Sequence, residues 1–143
     1  MANPNVAFYI LQDASPDSRL AFACRLIEKA YKEKHRVYIH APTKEMAHQL
    51  DEFLWTYKDN SFVPHSLANE KIDPAPPVQI GHDTPPTTNH TMLVNLCDEI
   101  PPFFNRYRRI AEIITNNDNE QALGRERYKT YRQNACELTT HKL

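Results

Sequence analysis

Glycine is almost missing from this chain: Gly81 and Gly124 are the only two in 143 residues. Loops that wrap a phosphate in their backbone need glycine where φ turns positive or a ligand approaches the main chain, so the usual nucleotide-binding loops cannot be built here. Cysteine is sparse too. Cys24, Cys97 and Cys136 are unclustered, and the N-terminus carries no basic and apolar leader; together these predict a reducing compartment, the cytoplasm. No apolar run approaches the roughly 18 residues that cross a bilayer, so a soluble chain is expected. The seven histidines include no H-x-x-x-H or H-E-x-x-H, and there is no C-x-x-C, so neither a metal nor any other cofactor is expected. Cys97 stands beside Asp98, but no histidine base or oxyanion hole can be identified for it, and no catalytic residue is assigned. The expectation is a protein without turnover of its own.

What remains is a globular composition, 41% hydrophobic and 24% charged, of a length that closes one core, so residues 1–143 are read as a single domain. The net charge of −1 conceals a gradient. Residues 1–100 carry 9 basic and 13 acidic side chains, residues 101–143 carry 8 and 5, and the C-terminal end is the basic end.

Val6-Ala7-Phe8-Tyr9-Ile10-Leu11 is too short an apolar run for a helix and reads as a buried strand. Ser15-Pro16 then suits a helix start, with Leu20, Ala23, Cys24, Ile27 and Tyr31 on one face and an end near Lys34. Cys24 is expected there as a buried, inert thiol. Val37-Tyr38-Ile39 completes a strand, helix, strand unit, whose right-handed crossover makes its strands parallel. The fold class is α/β: a three-layer sandwich with helices on both faces of a mostly parallel sheet of about five strands.

A second helix opens at Pro42-Thr43 and aligns Met46, Ala47, Leu50, Phe53, Leu54 and Tyr57. Trp55 lies nine residues beyond Met46, about 180° from that stripe, and should face outward. Residues 60–90 hold six of the eleven prolines and read as a long connection interrupted by one strand, Val78-Gln79-Ile80. Further on come a strand at 91–95, a short helix from Pro101-Pro102 to about Arg108, and a strand at 110–115. A capping box of Asp118 and Gln121 then opens a last helix that runs to about Asn134.

Two features could carry function. In the last helix, Arg125, Tyr128, Lys129 and Arg132 share an arc of about 100°, while Leu123, Arg127 and Tyr131 point the other way. Such a stripe suits an acidic peptide with a hydrophobic end, or a nucleic-acid backbone with a base on the ring; it is equally what a solvated charged face looks like. The second feature joins outward Trp55 to the apolar loop Phe62-Val63-Pro64. It reads either as a protein interface or as a loop folded back over the tryptophan.

Taken together, Phe8-Tyr9-Ile10-Leu11, Leu50-Asp51-Glu52-Phe53-Leu54-Trp55, Ser61-Phe62-Val63-Pro64-His65 and Arg125-Glu126-Arg127-Tyr128-Lys129 resemble the chi subunit of bacterial DNA polymerase III holoenzyme, over nearly the whole chain and in the same order. The resemblance implies a non-catalytic accessory subunit that pairs with the psi subunit and through it with the clamp loader. It also implies a grip on the acidic C-terminal tail of the single-stranded-DNA-binding protein, so that DNA is met mainly indirectly. Carried over by position, the tail site comprises Arg125, Tyr128, Lys129 and Arg132, with Ile114 as an apolar wall. The psi contact comprises Trp55, Phe62, Val63 and Pro64. Gln121 stands where some relatives have lysine, which implies a weaker or less salt-sensitive tail contact. The rival reading is a direct nucleic-acid-binding module using the same stripe, although one stripe on a near-neutral protein offers few phosphate contacts.

Overall fold

The opening strand, helix, strand unit forms where its patterning places it. In the computed structural model, which describes residues 3–56, 62–70, 74–83 and 90–143, β1 spans Asn5–Ile10, α1 Pro16–Lys32 and β2 Val37–His40. Ser15 caps α1: its hydroxyl accepts from the Asp17 and Ser18 backbone N–H groups at 3.1 and 3.3 Å, satisfying donors that have no partner within the helix. The remaining elements are α2 (Lys44–Thr56), β3 (His65–Leu67), β4 (Val78–Gly81), β5 (Met92–Asn95), β6 (Arg109–Ile114), α3 (Asp118–Gln133) and β7 (Glu137–Lys142). The expected helix after Pro101 is a single 3-10 turn, Phe104–Arg106.

The seven strands among the described residues form one sheet in the order β3-β4-β2-β5-β6-β1-β7, and every neighbouring pair is parallel. The fold is thus the expected α/β sandwich with a larger sheet. β1 and β2 are parallel but not adjacent, because β5 and β6 lie between them. Both additional strands sit at the edges. β3 has only three residues and lies inside the segment expected to hold one strand. β7 is polar and exposed except for half-buried Leu138.

Alternation along the strands divides the core into two layers. On one face Ile39, Ile80, Val94 and Ile113 pack with Ile27 of α1 and with Leu50 and Leu54 of α2; Cys24 is buried there, as expected. On the other, Val6, Phe8, Tyr38, Leu93, Ile110 and Ile114 pack with Tyr131 of α3. The helical stripe on α2 is as expected for Met46, Ala47, Leu50, Phe53 and Leu54, while Tyr57 lies outside the described residues.

Two helix ends carry backbone strain that substitution can remove. After α1, the Lys34 N–H donates to Tyr31 O and the His35 N–H to Ala30 O; after α3, Ala135 and Cys136 donate to Arg132 O and Tyr131 O. These paired bonds place Lys34 and Ala135 in the left-handed position that glycine favours, at φ 68° and 61°. Lys34→Gly and Ala135→Gly are each expected to raise the unfolding free energy by about 0.5–1 kcal/mol, measured by urea denaturation.

Candidate functional site

The basic stripe is held in place by a buried polar network between α3 and the sheet. Glu112, in the middle of β6, is fully buried. It accepts from Arg127 Nε at 3.0 Å, Tyr131 Oη at 2.7 Å and Asn95 Nδ2 at 2.9 Å. Arg127 also donates to the Asp98 carbonyl at 2.8 Å. Burial raises the Glu112 pKa above its ordinary value, against the pull of Arg127 and the three hydrogen bonds. With Arg127 and Tyr131 turned inward, the opposite sense of rotation presents Arg125, Tyr128 and Arg132 along the other flank, as the sequence predicts.

Asn117, rather than Asp118, caps α3: its side chain accepts from the Glu120 N–H at 3.0 Å. Gln121 instead donates to the Asn116 side chain at 3.3 Å. Nearly two turns into the helix, Gly124 lies against Ile114 of β6, so close that a Cβ would overlap the isoleucine δ-methyl. This is the role of that glycine: neither it nor Gly81, which lies in β4, belongs to a phosphate-binding loop.

Arg125, Lys129 and Arg132 are exposed and Tyr128 is half-buried, its ring 5.4 Å from that of Phe8. Lys129 is 3.7 Å from Glu126 in an exposed pair. Among the described residues, no carboxylate pairs with Arg125 or Arg132. Ile114 is only 5% exposed, so most of the expected wall lies beneath the helix. The accessible apolar surface is Ile10, half-buried and paired with Ile114 in the sheet. Ile10 and Phe8 were not assigned to the site from sequence; the parallel register of β1 and β6 brings them there.

The aromatic surface forms at the other edge of the sheet. Trp55 is 51% exposed and Phe62 65%, with ring centroids 5.7 Å apart; the tryptophan faces outward, as helical counting predicts. Pro64 is half-buried. Val63 departs from expectation: at 2% exposure it belongs to the core. Phe62 is exposed while its neighbour Val63 packs into the apolar layer that holds Leu50 and Leu54 of α2. His65, unassigned from sequence, braces it. Its Nδ1 lies 2.6 Å from Val63 O and its Nε2 3.0 Å from Asp51 O, and its ring centroid lies 4.3 Å from that of Trp55, the two planes tilted by 43°.

α2 packs on β3 and β4, and α3 on β6 and β7. The two surfaces therefore stand at opposite edges of a seven-stranded sheet, about 30 Å apart at the usual strand spacing.

Among the described residues, no group of three or more potential metal-ligating side chains converges, and no helix is long and apolar enough to cross a membrane. Cys97 lies by the His40 carbonyl rather than a histidine ring, its Sγ 3.7 Å from that oxygen. Burial pushes the Cys97 thiol up to about 11 and the Cys24 thiol up to about 12. At pH 8 alkylation of native Cys97 is expected to be about a hundredfold slower than that of free cysteine, because only the thiolate reacts. Mass spectrometry after a timed iodoacetamide pulse checks this, and rapid labelling would show an activated thiol.

Against known proteins, a family model described as DNA polymerase III chi subunit, HolC, matches residues 4–139. The DNA polymerase III subunit chi of Pseudomonas aeruginosa is 36% identical over 138 residues, covering 96% of each chain. That of Escherichia coli is 30% identical over 141 residues, covering 95% of this chain and 96% of its own. That of Haemophilus influenzae is 29% identical over 137 residues, covering 95% of each.

Proposed function

The chain belongs to the family of DNA polymerase III chi subunits, and from that premise we propose that it is a non-catalytic adaptor in the cytoplasm with two partners. The α3 flank binds the acidic C-terminal tail of single-stranded-DNA-binding protein. The Trp55–Phe62 patch binds the psi subunit, and through it the clamp loader. Coated single-stranded DNA is thereby connected to the polymerase of which chi is an accessory subunit.

The observation that carries the tail assignment is the juxtaposition on α3. Arg125 and Arg132 lack carboxylate partners among the described residues, and they flank Tyr128, which leans on Phe8 beside half-buried Ile10. An acidic peptide with an aromatic end needs both halves: guanidinium forks for carboxylates and an apolar recess for the ring. A nucleic acid needs many phosphate contacts, and this stripe offers few. A single tail contact is weak, but a coated strand presents many tails, and avidity supplies the strength. The psi assignment rests on two large aromatics exposed side by side, which soluble proteins generally cover with a partner.

Calorimetry with three peptides tests the tail assignment: an acidic peptide ending in phenylalanine, the same peptide without that residue, and a neutralised version. The first should bind, losing strength as salt screens the ion pairs, and the other two should each bind several-fold more weakly. Equal binding by all three, or displacement of the first by an oligonucleotide, contradicts it.

A further inference from the structure

We infer that Lys142 is a further cation of the tail-binding site, closing it from the strand side, so that the tail lies in a groove between α3 and β7 rather than on the helix alone. This rests on the tail-binding reading above and adds the other wall of the site.

The sheet register carries the argument. Lys142 pairs with Ile10, and Ile10 pairs with Ile114. Partners in register point to the same face of a sheet. Val6, Phe8 and Ile114 belong to the apolar layer under α3, so Ile10, Leu138, Thr140 and Lys142 face that side as well. The other side of β7 agrees, since His141 stacks on Tyr9 at 4.9 Å, and Tyr9 packs with the layer under α1 and α2. The Leu143 N–H donates to Ile10 O at 3.0 Å, holding the end of β7 against β1.

The helix is level with this row of residues. Gly124 sits on Ile114 and Tyr128 on Phe8, so one turn of α3 advances beside two residues of strand, about 6 Å in each case. Taking Gly124 as facing the sheet, Tyr128 is rotated by about 40°, Arg132 by about 80° and Arg125 by about 100°, all in one sense. Arg127 turns in the opposite sense, toward Glu112 of β6. Because Tyr128 turns toward β1, Arg125 and Arg132 turn toward β7, the next strand out.

The groove therefore has Arg125, Tyr128 and Arg132 on one wall, Lys142 and Thr140 on the other, and Ile10 on its floor, with buried Phe8 beneath Tyr128. Lys142 is exposed, and among the described residues no carboxylate pairs with it. A tail seated on Ile10 through its terminal ring places its carboxylates between cations on both sides.

The test titrates an acidic peptide ending in phenylalanine into wild type, Lys142→Ala, Arg125→Glu and Thr139→Glu. Thr139 is exposed on the other face of β7. Its substitution changes the net charge by the same amount as Lys142→Ala, which separates a local contact from a general field. Lys142→Ala is expected to weaken binding about three- to tenfold, and Thr139→Glu to change it less than about twofold. With the neutralised peptide, wild type and Lys142→Ala should bind alike. Thermal melts should coincide, because no core side chain is altered. If Arg125→Glu loses affinity while Lys142→Ala does not, the groove is wrong and the helix-only site stands. Equal losses in Lys142→Ala and Thr139→Glu also overturn it. A wild-type chain that binds no peptide overturns the tail reading itself.

Discussion

Glu112→Ala is expected to lower the unfolding free energy by about 3–5 kcal/mol, because it leaves the buried Arg127 guanidinium without its counter-charge. Three groups lose an acceptor at once: Arg127 Nε, Tyr131 Oη and Asn95 Nδ2. None can turn to water without opening the α3 layer, since Asn95 and Tyr131 are fully buried and Arg127 nearly so. The vacated volume adds a cavity cost. Glu112→Gln keeps the shape and part of the hydrogen bonding and should cost less. Urea denaturation measures both. A loss below about 1 kcal/mol for the alanine variant would mean that α3 is held by its apolar contacts alone. The network matters to function through orientation: Arg127 inward is what sets Arg125, Tyr128 and Arg132 toward the groove.

Trp55→Ala is expected to weaken psi binding by about 2 kcal/mol or more, roughly thirtyfold, the usual cost of truncating an interface tryptophan. The free protein should remain folded, because Trp55 is half exposed and the His65 ring beneath it is fixed independently by two backbone carbonyls. Phe62→Ala should weaken the same complex, whereas Val63→Ala should act on stability, since Val63 is a core residue. Surface plasmon resonance with immobilised psi separates these effects. Unaltered binding by Trp55→Ala would remove the patch from the interface.

How far the sequence discloses this structure depends on how strongly each element is patterned. β1, α1, β2 and α2 carry clear apolar patterns and form as expected, and Trp55 follows from helical counting alone. β7 has no such signal: Glu137-Leu-Thr-Thr-His-Lys is polar because an edge strand lies largely in water. β3 is only three residues long, set among prolines that mark turns. On the helix, Arg125, Tyr128, Lys129 and Arg132 were legible from 3.6-residue spacing, which operates within one element. Ile10 and Lys142 were not, because they come beside the candidate site through pairings of β1 with β6 and β7 that no local pattern encodes. Val63 illustrates the same limit, since an apolar residue in a loop reads equally as patch or core until its packing is known. Glu112 did leave a trace, a lone carboxylate inside the run Ile-Ala-Glu-Ile-Ile, which requires a buried partner on a facing element.

Two surfaces about 30 Å apart on opposite edges of one sheet should be occupied independently. The most direct test of this adaptor arrangement is calorimetric titration of the acidic, phenylalanine-ended peptide into the preformed complex with psi. One peptide should bind per complex, with the affinity shown by the free chain. Loss of peptide binding in the presence of psi, or release of psi by the peptide, would contradict it.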